Sequence, residues 1–134
     1  MNSNLIRGAA LLSALVVAAG CGSSDSGPTG PVAGPLRTVL TSPNADDGAV
    51  MFQVIGVVDS VVAPAGLTLY QSVPGPNVIR AIVTGNIASG SNLLTLYVPD
   101  LGKASSIATQ VIQVAARGTY AQRAVGGYSI QLTK

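Results

Sequence analysis

The residues of this chain that could carry out chemistry are mainly carboxylates, and they are few. The chain contains no histidine and no glutamate, so it lacks the usual general base for a serine nucleophile and the commonest transition-metal ligand. After residue 35, a catalytic carboxylate pair would have to come from Asp46, Asp47, Asp59 and Asp100. Asp46 and Asp47 are adjacent, and on a strand their side chains would point apart. We therefore predict that the protein is not an enzyme.

The segment Asn44-Ala45-Asp46-Asp47-Gly48 offers the oxygen ligands that a calcium ion prefers. It lacks the acidic residues at alternate positions and the distal bidentate glutamate of an EF-hand loop. We therefore favour a turn in which the two aspartates cap backbone amides, with Asp46 and Asp47 kept only as weak metal candidates. We expect no cofactor. At residues 103–106, Lys-Ala-Ser-Ser, we favour a solvated turn over a Ser-Lys catalytic pair.

Tyrosine side chains could stack on sugar rings or on a peptide, and the candidates are Tyr70, Tyr97 and Tyr120. Tyr97 is expected on the outward face of its strand if Leu96 faces inward. The most polar loop spans residues 117–123, and Arg117, Tyr120 and Arg123 make it the best candidate recognition loop. The alternatives are cross-strand packing for a tyrosine and a solvated connection for the loop.

The first twenty residues have the layout of a secretory signal peptide. Arg7 is the only charge before residues 8–20, an uncharged run shorter than the roughly 20 residues that a membrane-spanning helix needs. Ala18-Ala19-Gly20-Cys21 resembles the lipobox of bacterial lipoproteins, with alanine where leucine is preferred. This resemblance implies cleavage after Gly20 and lipidation of Cys21, with an ordinary secreted protein as the alternative. Since glycine and not aspartate follows Cys21, it also implies the outer membrane or the cell surface.

The composition after residue 20 restricts the partners. Six Lys or Arg residues oppose five Asp residues, which argues against nucleic acid because such partners leave a clustered basic footprint. The sole cysteine is assigned to lipid, so no intrachain disulfide is expected. Residues 22–35 contain four Gly, three Pro and three Ser, a composition that predicts a disordered tether. The expected organisation is a signal peptide over residues 1–20, lipidated Cys21 and linker over 21–35, and a folded domain over 36–134.

From residue 36 onward, short apolar runs are broken by turn residues every eight to twelve positions, which is typical of an all-β domain. Residues 101–107 have room for one short helical turn at most, and on the strand at 107–116 we expect Ile112 and Val114 inward and Gln113 outward. The pattern predicts an immunoglobulin-like or jelly-roll β-sandwich of seven to eight strands, with a closed up-and-down barrel as the alternative. The strands are expected at residues 37–40, 49–55, 57–63, 67–72, 79–84, 94–98, 107–116 and 128–132.

Three segments resemble cohesin-type β-sandwich domains in the same order along the chain. They are residues 48–54 (GAVMFQV), 78–90 (VIRAIVTGNIASG) and 94–100 (LTLYVPD). The resemblance implies a β-sandwich and a binding role, and it assigns no binding residue. We therefore expect a lipid-anchored, non-enzymatic binding module that recognises a glycan or a protein partner. The alternative is a structural subunit of an envelope assembly.

Overall fold

The computed structural model describes residue 27 and residues 30–134. The predicted signal peptide, the predicted lipidation of Cys21 and most of the predicted linker lie outside the described residues. Strand β1 begins at Gly34, two residues before the expected start of the domain. Just before it, the backbone N–H of Leu101 donates to the Val32 carbonyl at 2.7 Å, so the folded domain already holds the chain at residue 32.

The described chain is built almost entirely of β-strands, which confirms the all-β prediction. Seven strands have five or more residues, and two, β3 and β8, have three and two. A 3₁₀ helix, Leu101–Ser106, follows β6, in the segment where the sequence leaves room for a short helical turn. The strands are β1 (Gly34–Thr41), β2 (Asp47–Ile55), β3 (Ser60–Val62), β4 (Leu67–Gly75), β5 (Val78–Ile87), β6 (Asn92–Val98), β7 (Ala108–Ala116), β8 (Gln122–Arg123) and β9 (Ser129–Thr133).

Two antiparallel sheets pack face to face, and the β-sandwich is therefore confirmed. One has the strand order β3-β6-β1-β9 and the other β4-β5-β2-β7-β8. Over residues 30–134 no strand of one sheet is hydrogen-bonded as a neighbour into the other, so each sheet keeps two edges. The closed-barrel alternative is wrong for that reason. Among the described residues, no helix is long and apolar enough to cross a membrane.

The apolar side chains that alternate with polar ones along the strands fill the space between the two sheets. In β2, Val50, Phe52 and Val54 are fully buried, while the intervening residues reach the surface in part. Their partners on β5 are Val83, Ala81 and Ile79, so the two strands present their apolar faces to the same side. The facing sheet contributes a matching set of leucines and a valine from β1 and β6: Leu36, Leu40, Leu93, Leu94, Leu96 and Val98.

A β-bulge in β7 overturns one predicted orientation. Gln113 lies opposite Met51, but the next residue of β2, Phe52, lies opposite Val111, so Ile112 is the extra residue. Ile112 is 36% exposed, and the prediction that it faces inward is wrong. Val111 packs against the core in its place, while Val114 is buried as predicted.

Candidate functional site

Three of the residues singled out in the sequence, Tyr70, Arg117 and Tyr120, line one open groove of about 430 Å³. The groove lies on the five-stranded sheet, where the ends of four elements meet. We call it the tyrosine groove and define it by its six lining residues: Gly48, Tyr70, Thr84, Gly85, Arg117 and Tyr120.

Tyr70 reaches the groove from the edge strand β4. Its neighbour Leu69 packs against the core, so the alternation of the strand turns Tyr70 to the outer face. The ring is 59% exposed and lies opposite Ile82 of β5. Two positions further along the same face, Thr84 of β5 lies opposite Thr68 and brings a hydroxyl into the groove.

Two glycines in the groove are required by their surroundings. A Cβ on Gly48 would lie 2.7 Å from the Arg117 Cα, closer than a real Cβ contact allows. Gly85 has a φ of 145°, a conformation that side chains rarely adopt, and a Cβ there would lie 2.9 Å from the Gly66 carbonyl oxygen. The two glycines therefore let the neighbouring chain segments pack closely against β2 and β5, and this close packing shapes the floor of the groove.

Tyr120 enters from the tight turn that joins β7 to β8. The Tyr120 N–H donates to the Ala116 carbonyl at 3.0 Å, and the Ala116 N–H donates to the Ala121 carbonyl at 2.9 Å. These bonds place Tyr120 in the left-handed backbone region, with a φ of 54°. That conformation costs a non-glycine residue roughly 1–2 kcal/mol, yet the side chain is 75% exposed and gains little from burial.

Arg117 supplies the charge of the groove. Its Nη1 donates to the Asn86 side-chain oxygen, and its backbone N–H donates to the Asp46 carbonyl at 2.7 Å. A guanidinium has five N–H donors, so this contact leaves several for a ligand. The ion pairs of residues 30–134 engage Arg123 and not Arg117, and the groove lining contains no carboxylate. The groove therefore presents two phenol rings with their hydroxyls, one threonine hydroxyl and one cation.

A second polar cluster lies next to the tyrosine groove, around the start of β2 and the turn between β7 and β8. Asp47 is fully buried; its Oδ1 accepts hydrogen bonds from Arg123 Nη1 and from the Tyr128 hydroxyl, both at 2.8 Å, and its Oδ2 accepts from the Ser42 hydroxyl at 2.6 Å. Asn44 Nδ2 donates to the Tyr128 hydroxyl at 2.7 Å. We call this the carboxylate cluster: Ser42, Asn44, Asp46, Asp47, Arg123 and Tyr128.

Asp46 completes the cluster at the surface. Its Oδ1 lies 2.6 Å from Arg123 Nη2, so one guanidinium bridges both carboxylates. This hydrogen bond to Arg123 holds the pKa of the Asp46 carboxyl below its usual value, and the same bond raises the pKa of Arg123. Because Asp46 also fixes the Arg117 backbone through its carbonyl, the cluster anchors the start of the turn that carries Tyr120.

The cluster corrects the predicted roles of Asp46 and Asp47. Their side chains bind chiefly the side chains of Arg123, Tyr128 and Ser42. In the turn, it is the Ser42 hydroxyl that accepts from the Asn44 N–H, at 3.0 Å. The guanidinium occupies the place between the carboxylates that a cation would take. The part of the chain that the structure describes contains no group of three His, Cys, Asp or Glu side chains that could hold a metal ion.

The structure separates the other two predicted ligand-binding residues from the groove. Arg123 belongs to the carboxylate cluster. Tyr97 lies on β6 in the opposite sheet, 44% exposed and paired with Pro35 and Ser60. Three residues of the groove, Gly48, Thr84 and Gly85, were not predicted from the sequence. A glycine inside a strand pattern is the only sequence signal that points to such a close backbone approach.

Comparison of the chain with protein-family models, with curated proteins and with solved structures finds no match. The cohesin-like and lipoprotein resemblances of the sequence stay predictions.

Proposed function

We propose that this protein is a lipid-anchored, non-enzymatic binding module of the bacterial outer membrane or cell surface, and that it recognises a glycan through the tyrosine groove. The observation that carries the proposal is Tyr120, which is held in an unfavourable backbone conformation while most of its ring faces solvent. A glycine or an asparagine would fit that position at less cost. Backbone strain of this kind is concentrated at ligand-binding sites.

The chemistry of the groove suits a sugar. Aromatic rings pack against the C–H faces of a pyranose, while its hydroxyls need a few well-placed hydrogen-bonding groups. Tyr70 and Tyr120 supply the rings, and Thr84 and Arg117 supply the polar contacts. A volume of about 430 Å³ falls within the range of small-molecule sites. Because Arg117 is the only charged residue of the lining, sugars with a carboxylate are favoured.

The proposed location rests on the sequence. The run of residues 8–20 and the lipobox-like Ala18-Ala19-Gly20-Cys21 support a lipid anchor. The Gly-, Ser- and Pro-rich residues 22–31, before the part of the predicted linker that the domain holds, support a tether that lets the domain stand away from the membrane. The resemblance to cohesin-type domains supports a binding role. The lining of the groove includes no carboxylate, thiol or imidazole, which supports a role without catalysis.

Glycan binding is tested by screening the chain on a glycan array, followed by calorimetric titration of the best ligand. Each stacking tyrosine contributes about 1.4 kcal/mol or less, so Tyr70→Ala and Tyr120→Ala should each weaken binding up to about tenfold. Tyr97→Ala is the matched control, because it removes a partly exposed tyrosine from the opposite sheet. Failure of every glycan to bind, or an equal loss in Tyr97→Ala, contradicts the proposal.

The anchor is tested separately by the intact mass of the full-length protein purified from its native membrane. The expected mass lacks residues 1–20 and carries acyl chains on Cys21. An unmodified Cys21 contradicts the anchor and leaves the groove proposal standing on its own.

A second candidate function, a structural subunit of an envelope assembly, is favoured by the long uncharged edge of β4. A stoichiometric partner retained during gentle-detergent purification would support it. A chain that purifies without one and binds a glycan supports the first candidate.

A further inference from the structure

The four sheet edges of the described domain are protected to very different degrees. β3 and β8 are only three and two residues long. At β9 the Thr109 hydroxyl donates to the Ile130 carbonyl at 2.9 Å, so a neighbouring side chain covers part of that edge. β4 has nine residues and is hydrogen-bonded to β5 alone.

From Leu67 to Ser72, the β4 edge also lacks the usual protection against pairing with another chain. An edge strand presents a row of unpaired N–H and C=O groups, and natural proteins guard such edges with charges, bulges, prolines or very short strands. The sequence of β4, LTLYQSVPG, contains no charge. Its proline and its irregular pairing with β5 lie beyond Ser72, so the segment from Leu67 to Ser72 stays regular.

We propose that β4 pairs antiparallel with β4 of a second copy of this chain, with Tyr70 opposite Tyr70. Antiparallel pairing of identical edges requires a two-fold axis normal to the sheet, so each side chain stays on its own face. This register sets Thr68 opposite Ser72 of the second copy, and it sets Ser72 opposite Thr68. Aromatic pairs and hydroxyl pairs are favourable cross-strand neighbours.

A second copy fits this edge better than an unlike partner. Selective pairing with a different chain is usually set by complementary charges, and β4 offers none. The adjacent charge on the same face is Arg80, which lies opposite Ser72 on β5, one strand away from the edge. The exposed side chains along β4, including Tyr70 and the 68% exposed Val73, are apolar or neutral and can meet their own copies without repulsion.

The pairing is tested by sedimentation velocity of the full chain in density-matched mild detergent, over a concentration series. The unaltered chain should form a dimer. The double variant Thr68→Lys with Ser72→Lys sets like charges opposite each other twice, and it should raise the dissociation constant about tenfold. The double variant Thr68→Lys with Ser72→Asp sets opposite charges together in the same register, and it should dimerise again.

A matched control is Ser129→Lys with Thr133→Lys, which places two lysines at the same spacing on exposed positions of the other long edge, β9. It should dimerise like the unaltered chain. A monomer at all concentrations overturns the proposal, as does a control variant that dissociates equally. A Thr68→Lys, Ser72→Asp chain that stays monomeric overturns the register. Glycan binding is measured separately, so its failure leaves this result unaffected.

Discussion

Asp47 is expected to be the most costly single polar residue to remove from the domain. It is fully buried and accepts side-chain hydrogen bonds from Ser42, Arg123 and Tyr128. All three hydrogen bonds are accepted by the carboxylate of an ion pair, and a hydrogen bond to a charged group contributes about 1.5 kcal/mol or more. Asp47→Ala should therefore lower the free energy of unfolding by about 4 kcal/mol. At roughly 4–8 °C per kcal/mol for a domain of this size, the melting temperature should fall by more than about 15 °C.

Asp47→Asn should cost much less than Asp47→Ala. The amide oxygen can still accept from Arg123 and Tyr128. The Ser42 hydroxyl has one proton and two acceptors, Asp47 Oδ2 at 2.6 Å and the Asn44 carbonyl at 2.9 Å. It can turn its proton to the carbonyl and accept from the new amide. Only the charge of the pair is lost, and we expect a decrease in unfolding free energy of about 1–2 kcal/mol.

The assay is urea denaturation followed by circular dichroism, with the slope of the transition compared among variants. Asp59→Ala is the control: it removes an exposed aspartate and should change the unfolding free energy by less than about 0.5 kcal/mol. Two results would show that the hydrogen bonds to Asp47 do not stabilise the domain as expected. One is an unfolding free energy of Asp47→Ala within about 1 kcal/mol of the unaltered protein, and the other is an Asp47→Asn variant as unstable as Asp47→Ala.

Three further predictions concern the same corner of the domain. Because the pKa of Asp46 is lowered from 3.8 in the folded state, its stabilising contribution should be present above pH 3.8 and lost as the pH falls through the lower folded-state pKa. Urea titrations at several acidic pH values should show this loss of stability. In Asp46→Asn, the loss of stability at acidic pH should be smaller. Tyr120→Ala should weaken glycan binding while changing the unfolding free energy by less than about 1 kcal/mol, since the side chain is 75% exposed and alanine keeps the same left-handed backbone cost. A large loss of stability in the same urea assay would assign the residue a structural role. Gly85→Ala should destabilise the domain by about 1 kcal/mol or more, because its φ of 145° and the nearby Gly66 carbonyl leave no room for a Cβ; an unchanged melting temperature would contradict this.

The all-β fold was predictable because the sequence of most strands is enough to show which of their side chains are buried. Most of the long strands follow an apolar alternation that is visible in the sequence, as in Val50, Phe52 and Val54. The failure at Ile112 has a non-local cause. The bulge arises where β7 adjusts its register to β2, and the sequence of β7 alone contains no sign of which residue is skipped.

For the tyrosine groove, the sequence predicted which residue types could bind a ligand but not which of them lie together. Tyr70 and Tyr120 are fifty positions apart, and the strand order β4-β5-β2-β7 brings them to one groove. That order cannot be derived from alternation, because any order would bury the same faces. Arg123 shows the same limit. From the sequence, an arginine close to Tyr120 could equally contact a ligand or form a structural ion pair. Its partners Asp46 and Asp47 are more than 70 positions earlier in the sequence, so the sequence does not show which role applies.

The position of β1 has a mechanical consequence. This strand is the first of the domain, and it is paired with β6 from Gly34 to Val39 on one side and with β9 from Arg37 to Thr41 on the other. A pull on the N-terminal end acts along the strand axis and perpendicular to its hydrogen bonds, so both ladders are loaded in shear and must yield together. Forced unfolding is governed by the unfolding rate, and this geometry should make it slow. A domain of this design would resist a pull applied through the chain that precedes Gly34.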